Sequence, residues 1–339
     1  MIILACSATG GHVYPAIAVN EYLHGQSTYF VIDQGRISED ILKSYNYKYF
    51  ALNFRRNKWV ALGVSFFKLI SFFYKHKPKL VLGFGGITTL AVVLAAKIFK
   101  VKTVLFEQNA VIGRTNRFLS YFVDQLWLSY PTINTSFCSK ELLRGNPVRS
   151  RFIFSQVDRN ILSLSFKKGT RCLIFGGSQG ALQLNKFIES IYSWFEDNGI
   201  VVIHVFGDRD YEKKGYTSDY HVIKNDKNEV IRVEARFIQD MRAVYKWSDR
   251  VISRAGGTSI AELISYQKQA LLVPFKYATD NHQYYNAKAF CKHGYGQIVL
   301  EKELSINHID QFFKTTFEPQ LKTFSYFNLW KETLDQELI

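Results

Sequence analysis

Short apolar strands that run directly into a glycine-rich turn and then into a helix occur four times in this 339-residue chain. That succession of elements builds parallel sheets with helices on both faces. The four turns are Ser7-Ala-Thr-Gly-Gly-His12, Gly83-Phe-Gly-Gly86, Gly176-Gly-Ser-Gln-Gly180 and Arg254-Ala-Gly-Gly-Thr-Ser259. Their number predicts an α/β protein made of repeated doubly wound, Rossmann-like units.

The chain is longer than a single hydrophobic core usually supports, so two domains are expected. The segment Gly145-Asn-Pro-Val-Arg149 interrupts the alternation of strands and helices, and we predict domains at residues 1–147 and 148–318. Helices are expected at Ala16–Leu23 and Leu90–Phe99. The predicted strands are Ile2–Cys6, Tyr29–Ile32, Leu80–Phe84, Lys102–Phe106, Gln125–Leu128, Arg171–Phe175, Val201–Phe206, Arg250–Ile252 and Ala270–Val273.

Composition narrows the class of partner. Lys and Arg number 43 against 29 Asp and Glu, a formal charge of +14 that suits nucleic acid, a phosphorylated substrate or an anionic membrane. The cysteines lie far apart, which indicates a reducing compartment with no disulfide framework and no zinc site. No apolar run reaches the roughly 18 residues needed to cross a bilayer. The four cysteines are Cys6, Cys138, Cys172 and Cys291.

Glycine turns at helix N-termini let backbone N–H groups approach an anion, and the helix dipole favours negative charge there. None of the four turns matches GxGxxG or the GK[ST] of a P-loop, which disfavours dinucleotide redox chemistry and ATP hydrolysis. In the last turn, a diphosphate could lie on the N–H groups of Gly257, Thr258 and Ser259, with Glu262 accepting hydrogen bonds from ribose hydroxyls. The alternative for Ser259-Ile-Ala-Glu262 is a capping box that binds nothing.

Six motifs follow one another along the chain. They are Thr9-Gly-Gly-His12 with Pro15, Glu107-Gln-Asn109 with Thr115-Asn-Arg117, Gly145-Asn-Pro-Val-Arg149, Gly176-Gly-Ser-Gln-Gly180, Arg254-Ala-Gly-Gly257 and Asp280-Asn-His-Gln283 with Asn286-Ala287. In this order they resemble the MurG family, which transfers N-acetylglucosamine (GlcNAc) from UDP-GlcNAc to lipid I, forming lipid II in peptidoglycan synthesis. The resemblance implies a GT-B fold: two Rossmann-like domains with parallel sheets, an acceptor domain and a donor domain, facing across a cleft. It also implies a C-terminal helix over residues 319–339 that packs back on the first domain.

The resemblance further implies a UDP-GlcNAc site, residue by residue. Across the cleft from the donor domain it places Thr9, Gly10, Gly11 and Asn109. The backbone of Ile238 corresponds to a position that reads uracil, and Gln283 to one that contacts the sugar. The remaining implied donor residues are Arg149, Ser178, Gly257, Thr258, Ser259, Ile260, Ala261 and Glu262.

The implied reaction is an inverting displacement, in which the C4 hydroxyl of the N-acetylmuramyl (MurNAc) sugar attacks C1 of GlcNAc. It needs a proton acceptor and stabilisation of the departing diphosphate. His12 is the first candidate base because imidazole titrates near neutrality, with orientation of the turn as its alternative role. Glu107 is the second candidate. Helix N-terminal N–H groups and Arg149 would receive the leaving-group charge.

Asp208-Arg-Asp210 spells the DxD pattern that binds metal in another glycosyltransferase fold. It follows a predicted strand, where an exposed turn is expected, so we predict neither a metal site nor a cofactor. Two other enzymes fit the same fold, a UDP-sugar-dependent glycolipid glycosyltransferase and a UDP-GlcNAc 2-epimerase.

The stretch Trp59–Tyr74 predicts an aromatic helix with basic residues on both sides. Such a helix can lie in an anionic membrane interface, whereas an ordinary core helix shows a similar pattern. We expect a mixture, with one face buried and the tip exposed to lipid. The partners predicted are therefore UDP-GlcNAc, lipid I and the cytoplasmic side of the bacterial inner membrane, without nucleic acid. Contacts with other cell-wall synthesis proteins are compatible with this location.

Overall fold

The structure is a computed structural model that describes residues 1–7, 10–23, 25–34, 37–54, 58–150, 155–177 and 180–318. These residues form two compact units, the first within Met1–Arg151 and the second within Phe152–Leu321. The C-terminal helix predicted for residues 319–339 lies outside the described residues.

The described part of the first unit contains a sheet of seven parallel strands in the spatial order β3-β2-β1-β4-β5-β6-β7. Its central strands are buried, because helices cover both faces of the sheet. Along the chain the strands are β1 (Ile2–Ala5), β2 (Thr28–Asp33), β3 (Tyr49–Leu52), β4 (Leu80–Gly83), β5 (Lys102–Glu107), β6 (Gln125–Leu128) and β7 (Glu141–Leu143).

The helices of the first unit build a separate core on each face of the sheet. Alternate strand residues point to opposite faces, so Ile3 packs with Leu69 and Phe73, whereas Leu4 packs with Ile17 and Leu42. The helices described here are α1 (Gly10–Tyr22), α2 (Ile37–Ser44), α3 (Lys58–His76), α4 (Gly86–Ile98) and α5 (Arg114–Leu119).

The described part of the second unit repeats this design with the strand order β10-β11-β9-β8-β12-β13-β14. All of its strand pairs are parallel except β10 with β11. The strands are β8 (Thr170–Phe175), β9 (Ile200–Val205), β10 (Tyr220–Lys224), β11 (Val230–Ala235), β12 (Arg250–Ser253), β13 (Gln269–Leu272) and β14 (Gly296–Ile298).

Helices again flank this sheet, and one core joins Ile174 and Ile252 to Leu184, Phe195 and Phe312. A 3₁₀ turn occupies Thr279–Asn281. The helices are α6 (Gln156–Leu162), α7 (Leu182–Ser190), α8 (Tyr192–Asp197), α9 (Asp208–Glu212), α10 (Met241–Trp247), α11 (Gly257–Ser265), α12 (His282–Lys292) and α13 (Ile306–Lys314).

Each sheet has a switch point, a pair of neighbouring strands whose connections leave in opposite directions. It lies between β1 and β4 in the first unit and between β8 and β12 in the second. All four glycine turns follow these four strands, so each switch point has two of them at its carboxyl edge. This is the place where ligands bind in open α/β sheets.

The prediction of two doubly wound α/β units is confirmed, and each of the nine predicted strands is present within a residue or two. Five strands escaped prediction: β3, β7, β10, β11 and β14. Four of them lie at the sheet edges. Of these, β7, β10 and β14 contain polar residues, as partial exposure allows, whereas the short apolar strand β3 was missed. No helix among the described residues combines the length and apolar character needed to span a bilayer.

Candidate active site

The turn after β4 is fastened to the end of β1. Gly86 has a φ of +80°, and Ser7 Oγ stands where a Cβ of residue 86 would lie, so only glycine fits. The Thr88 N–H donates to Ser7 Oγ over 3.3 Å, and Thr89 Oγ1 lies 2.9 Å from the Ala5 carbonyl oxygen. The two glycine turns of the first switch point therefore form one rigid edge.

His12 lies in the first turn of α1 on this edge and is half-buried. A Cβ at Gly85 would lie 3.2 Å from His12 Nε2 and 3.7 Å from Asn116 Oδ1. The His12 ring therefore packs closely on the backbone of Gly85, and a side chain at residue 85 would press on the imidazole. Gly10 and Gly11 precede His12 in the same helical turn, and Thr9 lies outside the described residues.

Glu107, at the end of β5, is buried and accepts four hydrogen bonds. Its Oε1 accepts from the backbone N–H and side-chain amide of Asn109, at 3.0 and 3.1 Å. Its Oε2 accepts from the Gly113 N–H and from Asn116 Nδ2, both at 2.9 Å. Burial raises the pKa of Glu107 from its ordinary value, and these four donors oppose the rise. The carboxyl group consequently organises the loop between β5 and α5.

Arg149 is buried within the first unit. Its guanidinium carbon lies 3.9 Å from the centroid of the Tyr14 ring, and Nη1 donates to the Tyr45 hydroxyl over 3.2 Å. The next residue, Ser150, donates from both N and Oγ to Glu21 on α1. Arg149 is therefore packed against α1 and α2, a setting that its sequence motif did not indicate.

The first turn of the second switch point follows β8. Gly177 and Gly180 have φ values of +100° and +84°, and the Gly180 N–H donates to the Gly177 carbonyl over 3.0 Å. A Cβ at Gly176 would collide with Ala181. The glycines therefore have conformational and steric reasons to be there, apart from any ligand. Ser178 lies outside the described residues.

The second turn of this switch point leads into α11, which begins at Gly257 with Gly256 as its N-cap. Ser259 is thus the third helical residue, and the capping-box alternative for Ser259 and Glu262 is wrong. The Thr258 hydroxyl oxygen is buried and makes no hydrogen bond within the described part of the chain. The start of α11 accordingly presents helix N–H groups and one unsatisfied hydroxyl together.

Glu262 is buried one turn further along α11, together with Ile260 and Ala261. Its Oε2 accepts a hydrogen bond of 3.1 Å from the hydroxyl of Tyr245, a fully buried residue of α10. The ring of Tyr245 stacks on Tyr266 at 5.5 Å, so its orientation is set by packing. Tyr245 was missed by the sequence analysis, because nothing local to its position marks a contact 17 residues away.

Ile238 lies in a loop and Gln283 in the first turn of α12, and hydrogen bonds hold both positions. Asp158 on α6 accepts from the N–H groups of Gln239 and Asp240, both at 3.1 Å, which fixes the backbone next to Ile238. Gln283 Oε1 accepts from the Phe275 N–H at 2.9 Å, and its amide NH₂ makes no hydrogen bond to any described residue. That donor remains available for a ligand.

Hydrogen bonds and an ion pair from neighbouring segments hold the loop that follows β12. Arg254 donates to the carbonyl of Val273 at 3.0 Å and pairs with Glu301, while Asn286 donates to the Ala255 carbonyl at 3.1 Å. The residues Arg254 and Asn286 of the sequence motifs thus shape the turn that starts α11. These two motif residues therefore have a structural role in the turn.

The carboxylates of Asp208 and Asp210 face different partners. Asp208 is exposed and pairs with Arg236 over 2.8 Å, whereas Asp210 is buried and accepts from Asn185. In the residues that the structure describes, no group of three or more His, Cys, Asp or Glu side chains has the geometry of a metal site. The expected exposed turn is instead the short helix α9.

Comparison with known proteins assigns the class. The N-terminal domain of glycosyltransferase family 28 matches residues 2–127, and the C-terminal domain of that family matches residues 171–327. The crystal structure of Acinetobacter baumannii MurG has a TM-score of 0.69 and 24% identity, covering 98% of this chain and 94% of its own. A UDP-GlcNAc 2-epimerase from Methanocaldococcus jannaschii has a TM-score of 0.65 at 12% identity, covering 98% of each chain. At these identities the likeness shows the GT-B fold.

Sequence relatives are more specific. The UDP-N-acetylglucosamine--N-acetylmuramyl-(pentapeptide) pyrophosphoryl-undecaprenol N-acetylglucosamine transferase of Lawsonia intracellularis is 34% identical over 324 residues, covering 89% of this chain and 85% of that enzyme. The enzyme of the same name from Caldicellulosiruptor saccharolyticus is 34% identical over 332 residues, covering 92% and 88%. This chain therefore belongs to glycosyltransferase family 28 and, within it, to the MurG family of N-acetylglucosamine transferases.

Proposed function

We propose that this enzyme transfers GlcNAc from UDP-GlcNAc to the C4 hydroxyl of MurNAc in lipid I, forming lipid II with inversion at C1. The observation that carries the proposal is the second switch point, where the start of α11 offers an anion site beside a buried glutamate. The names of the relatives at 34% identity supply the sugar and the acceptor.

The donor site is assigned to the second unit. The diphosphate accepts hydrogen bonds from the N–H groups of Gly257, Thr258 and Ser259, and from the Thr258 hydroxyl, which is otherwise unsatisfied. Glu262 accepts hydrogen bonds from the ribose hydroxyls, while the Tyr245 hydroxyl donates to Glu262 Oε2 and fixes the orientation of the carboxylate. Uracil pairs with the backbone of Ile238, and the free amide of Gln283 donates to the sugar.

The base is assigned to His12. A base must have an electron pair that can reach the substrate, and all four donors around Glu107 belong to its own loop and helix. His12 instead is half-buried in the first turn of α1, at the carboxyl edge of the sheet where ligands bind in open α/β folds. Glu107 therefore acts as a positioning residue that holds Asn109 and Asn116.

The reaction is balanced without a further reactant. The C4 oxygen of MurNAc forms a bond to C1 of GlcNAc as the bond from C1 to the β-phosphate oxygen breaks, and UDP leaves with that electron pair. The hydroxyl proton passes to His12. The N–H groups at the start of α11 stabilise the charge that develops on the diphosphate.

We further propose that the enzyme binds the cytoplasmic membrane surface through α3 and its neighbours. The inner face of α3 is core, with Leu69 and Phe73 buried, whereas Val60 and Phe67 are 64% and 75% exposed. A second exposed aromatic group follows α5, which packs on α4 next to α3. Exposed apolar side chains near lysines suit an anionic interface. The second group is Phe118, Tyr121, Phe122 and Phe137.

The test of the reaction measures the transfer of radiolabelled GlcNAc from UDP-GlcNAc to a lipid I analogue. We expect a disaccharide product with inverted configuration. Two parallel incubations distinguish the alternatives: diacylglycerol as acceptor, and UDP-GlcNAc alone followed by analysis for its 2-epimer. Product in either incubation, with none from lipid I, contradicts the proposal.

The test of membrane binding is flotation with vesicles that contain anionic phospholipid. We expect Phe67→Ser together with Val60→Ser to shift the enzyme from the vesicle fraction to the soluble fraction. Tyr277→Ser removes an equally exposed aromatic side chain, 72% exposed, from the second unit and serves as the matched control. Equal flotation of both variants contradicts the assignment of this surface.

A further inference from the structure

A chain of four polar side chains is buried in the second unit behind the turn that follows β8. Tyr192 and His204 are joined by a 2.7 Å hydrogen bond between the hydroxyl and Nδ1. His204 Nε2 lies 3.1 Å from Asn185 Oδ1, and Asn185 Nδ2 lies 3.1 Å from Asp210 Oδ2. We refer to Tyr192, His204, Asn185 and Asp210 as the His204 network.

The hydrogen bonds of the His204 network run in one direction. Asn185 Nδ2 faces two acceptors, Asp210 Oδ2 and the Phe206 carbonyl, so its Oδ1 must face His204. His204 Nε2 therefore carries the proton, and Nδ1 accepts from the hydroxyl of Tyr192. Burial, with Lys214 and Arg232 nearby, lowers the pKa of His204 well below its ordinary value, which keeps the ring neutral. Each member thus fixes the orientation of the next, ending at Asp210.

Asp210 in turn contacts the glycine turn at the switch point. A Cβ at Gly180 would lie 2.6 Å from Asp210 Oδ2 and 2.7 Å from the Phe206 carbonyl oxygen. The backbone of Gly180 is thus packed directly against the end of the His204 network. Gly180 closes the turn through its N–H bond to Gly177, and the predicted donor residue Ser178 stands between them in the sequence.

We propose that Asp210, held by the His204 network, is a positioning residue that sets the position of Gly180, the glycine that closes the donor-binding turn after β8. This inference rests on the proposed function, because it assigns that turn to UDP-GlcNAc. It also gives the second aspartate of the DxD pattern a role that involves no metal. Asp208, two residues earlier, points to Arg236 and has no contact with the turn in the described residues.

The charge of Asp210 is balanced on its outer side. Its Oδ1 lies 3.8 Å from Arg209 Nε and 3.9 Å from Lys213 Nζ, both on exposed side chains. These distances exceed hydrogen-bond length, so Oδ2 carries the specific contact. An asparagine at this position would keep an amide oxygen facing Asn185 and Gly180. An alanine would remove one of the two acceptors of Asn185 Nδ2, leaving only the Phe206 carbonyl, and would remove the side chain that contacts Gly180.

The test compares the donor KM, the acceptor KM and kcat of Asp210→Ala, Asp210→Asn and wild type. Misplacement of a binding turn by an ångström can cost up to about a hundredfold, so we expect Asp210→Ala to raise the KM for UDP-GlcNAc by about tenfold or more. The acceptor KM of Asp210→Ala should stay within about twofold of the wild-type value. The donor KM of Asp210→Asn should lie closer to that of wild type than to that of Asp210→Ala. Asp208→Asn, in the same helix, is the matched control and should leave all three constants near wild type.

A destabilised fold is separated from a misplaced turn by Tyr192→Phe. This variant breaks the far end of the His204 network but leaves the hydrogen bond between Asn185 and Asp210 and the contact with Gly180 in place, so we expect a lower Tm and a donor KM raised much less than in Asp210→Ala. Equal donor KM in Asp210→Ala and Tyr192→Phe overturns the inference, as does an Asp210→Asn variant no better than Asp210→Ala. If Asp210→Ala does not fold, Gly180→Ala places a Cβ against Asp210 and should raise the donor KM alone. Failure of wild type to transfer GlcNAc refutes the proposed function instead.

Discussion

The two switch points share a construction and differ in chemistry. In each, a glycine of the turn is required because an oxygen of another side chain occupies the place of its Cβ: Ser7 beside Gly86 in the first unit and Asp210 beside Gly180 in the second. Both edges are therefore fixed by side chain to backbone packing. A rigid carboxyl edge is what the two units have in common.

The polar groups that lie at these two edges are different. The first unit presents an imidazole, His12, near an amide oxygen of Asn116. The second presents the N–H groups of a helix start, the Thr258 hydroxyl and the carboxylate of Glu262. Under the proposed function, the first edge supplies proton transfer and the second supplies binding of an anion and a diol. Substitutions should then affect kcat at one edge and KM at the other.

The largest effect is expected at the first edge. His12→Ala removes the proposed base, and general base catalysis contributes about 10²- to 10⁴-fold, so kcat should fall by that factor with lipid I analogue and UDP-GlcNAc saturating. Binding of UDP, measured by calorimetry, should be unchanged because the donor site belongs to the other edge. A fall in kcat of less than about tenfold would assign His12 the alternative role of orienting its turn.

The second edge should respond through binding. Glu262→Ala removes hydrogen bonds from ribose hydroxyls to a charged acceptor, worth about 1.5–3 kcal/mol, so the KM for UDP-GlcNAc should rise by about tenfold to a hundredfold. The exposed Glu303 of the same unit is the matched control, and Glu303→Ala should have no effect on KM. A variant that loses kcat with its KM unchanged would place Glu262 in the chemistry, and the comparison of the two edges would then fail.

The sequence sufficed for the layers of the fold and for the turns, because both are local. Strand β8 is an apolar run followed at once by glycines whose positive φ values no other residue adopts easily. The edge strands β10 and β14 have no such run and could not be seen. A continuous apolar run marks a strand that is buried on both faces, which explains why the central strands other than β11 were found.

The candidate site could be predicted only in part, for a physical reason. Glycine motifs indicate where a backbone approaches something closely, yet they do not say whether this is a ligand or Asp210. The donors around Glu107 and the contact of Tyr245 with Glu262 depend on which elements become neighbours in space. The buried setting of Arg149 against Tyr14 is likewise a tertiary fact. Such contacts decide roles, so the role of each residue needed the structure.

Two histidines extend the comparison to pH. His12 is half-buried, whereas His204 is fully buried with a pKa well below its ordinary value of 6.5. The unfolded chain takes up a proton at His204 below about pH 6.5 and the folded chain does not. The contribution of His204 to the free energy of unfolding is therefore complete above that pH. It should fall as pH decreases toward the folded pKa, by about 1.4 kcal/mol per pH unit.

Urea unfolding of wild type and His204→Gln between pH 7 and pH 5 checks this expectation. The glutamine cannot titrate, so the free energy of unfolding should depend less steeply on pH in the variant, while carboxylates contribute equally to both proteins. Parallel curves over this range would show that His204 takes up a proton in the folded state as in the unfolded one. His204 Nδ1 would then donate to the Tyr192 hydroxyl, the reverse of the direction assigned to that hydrogen bond.

The smallest effect is expected for Tyr245, which contacts Glu262 at the second edge. Tyr245→Phe removes the hydroxyl that donates to Glu262 Oε2 and leaves the stacked ring in place. One such hydrogen bond is worth about 0.5–1.5 kcal/mol, so the KM for UDP-GlcNAc should rise by roughly twofold to tenfold, less than in Glu262→Ala. Because Tyr245 acts only through Glu262, the double variant should be no worse than Glu262→Ala alone. Additive losses in KM would show that Tyr245 affects the donor by a separate route.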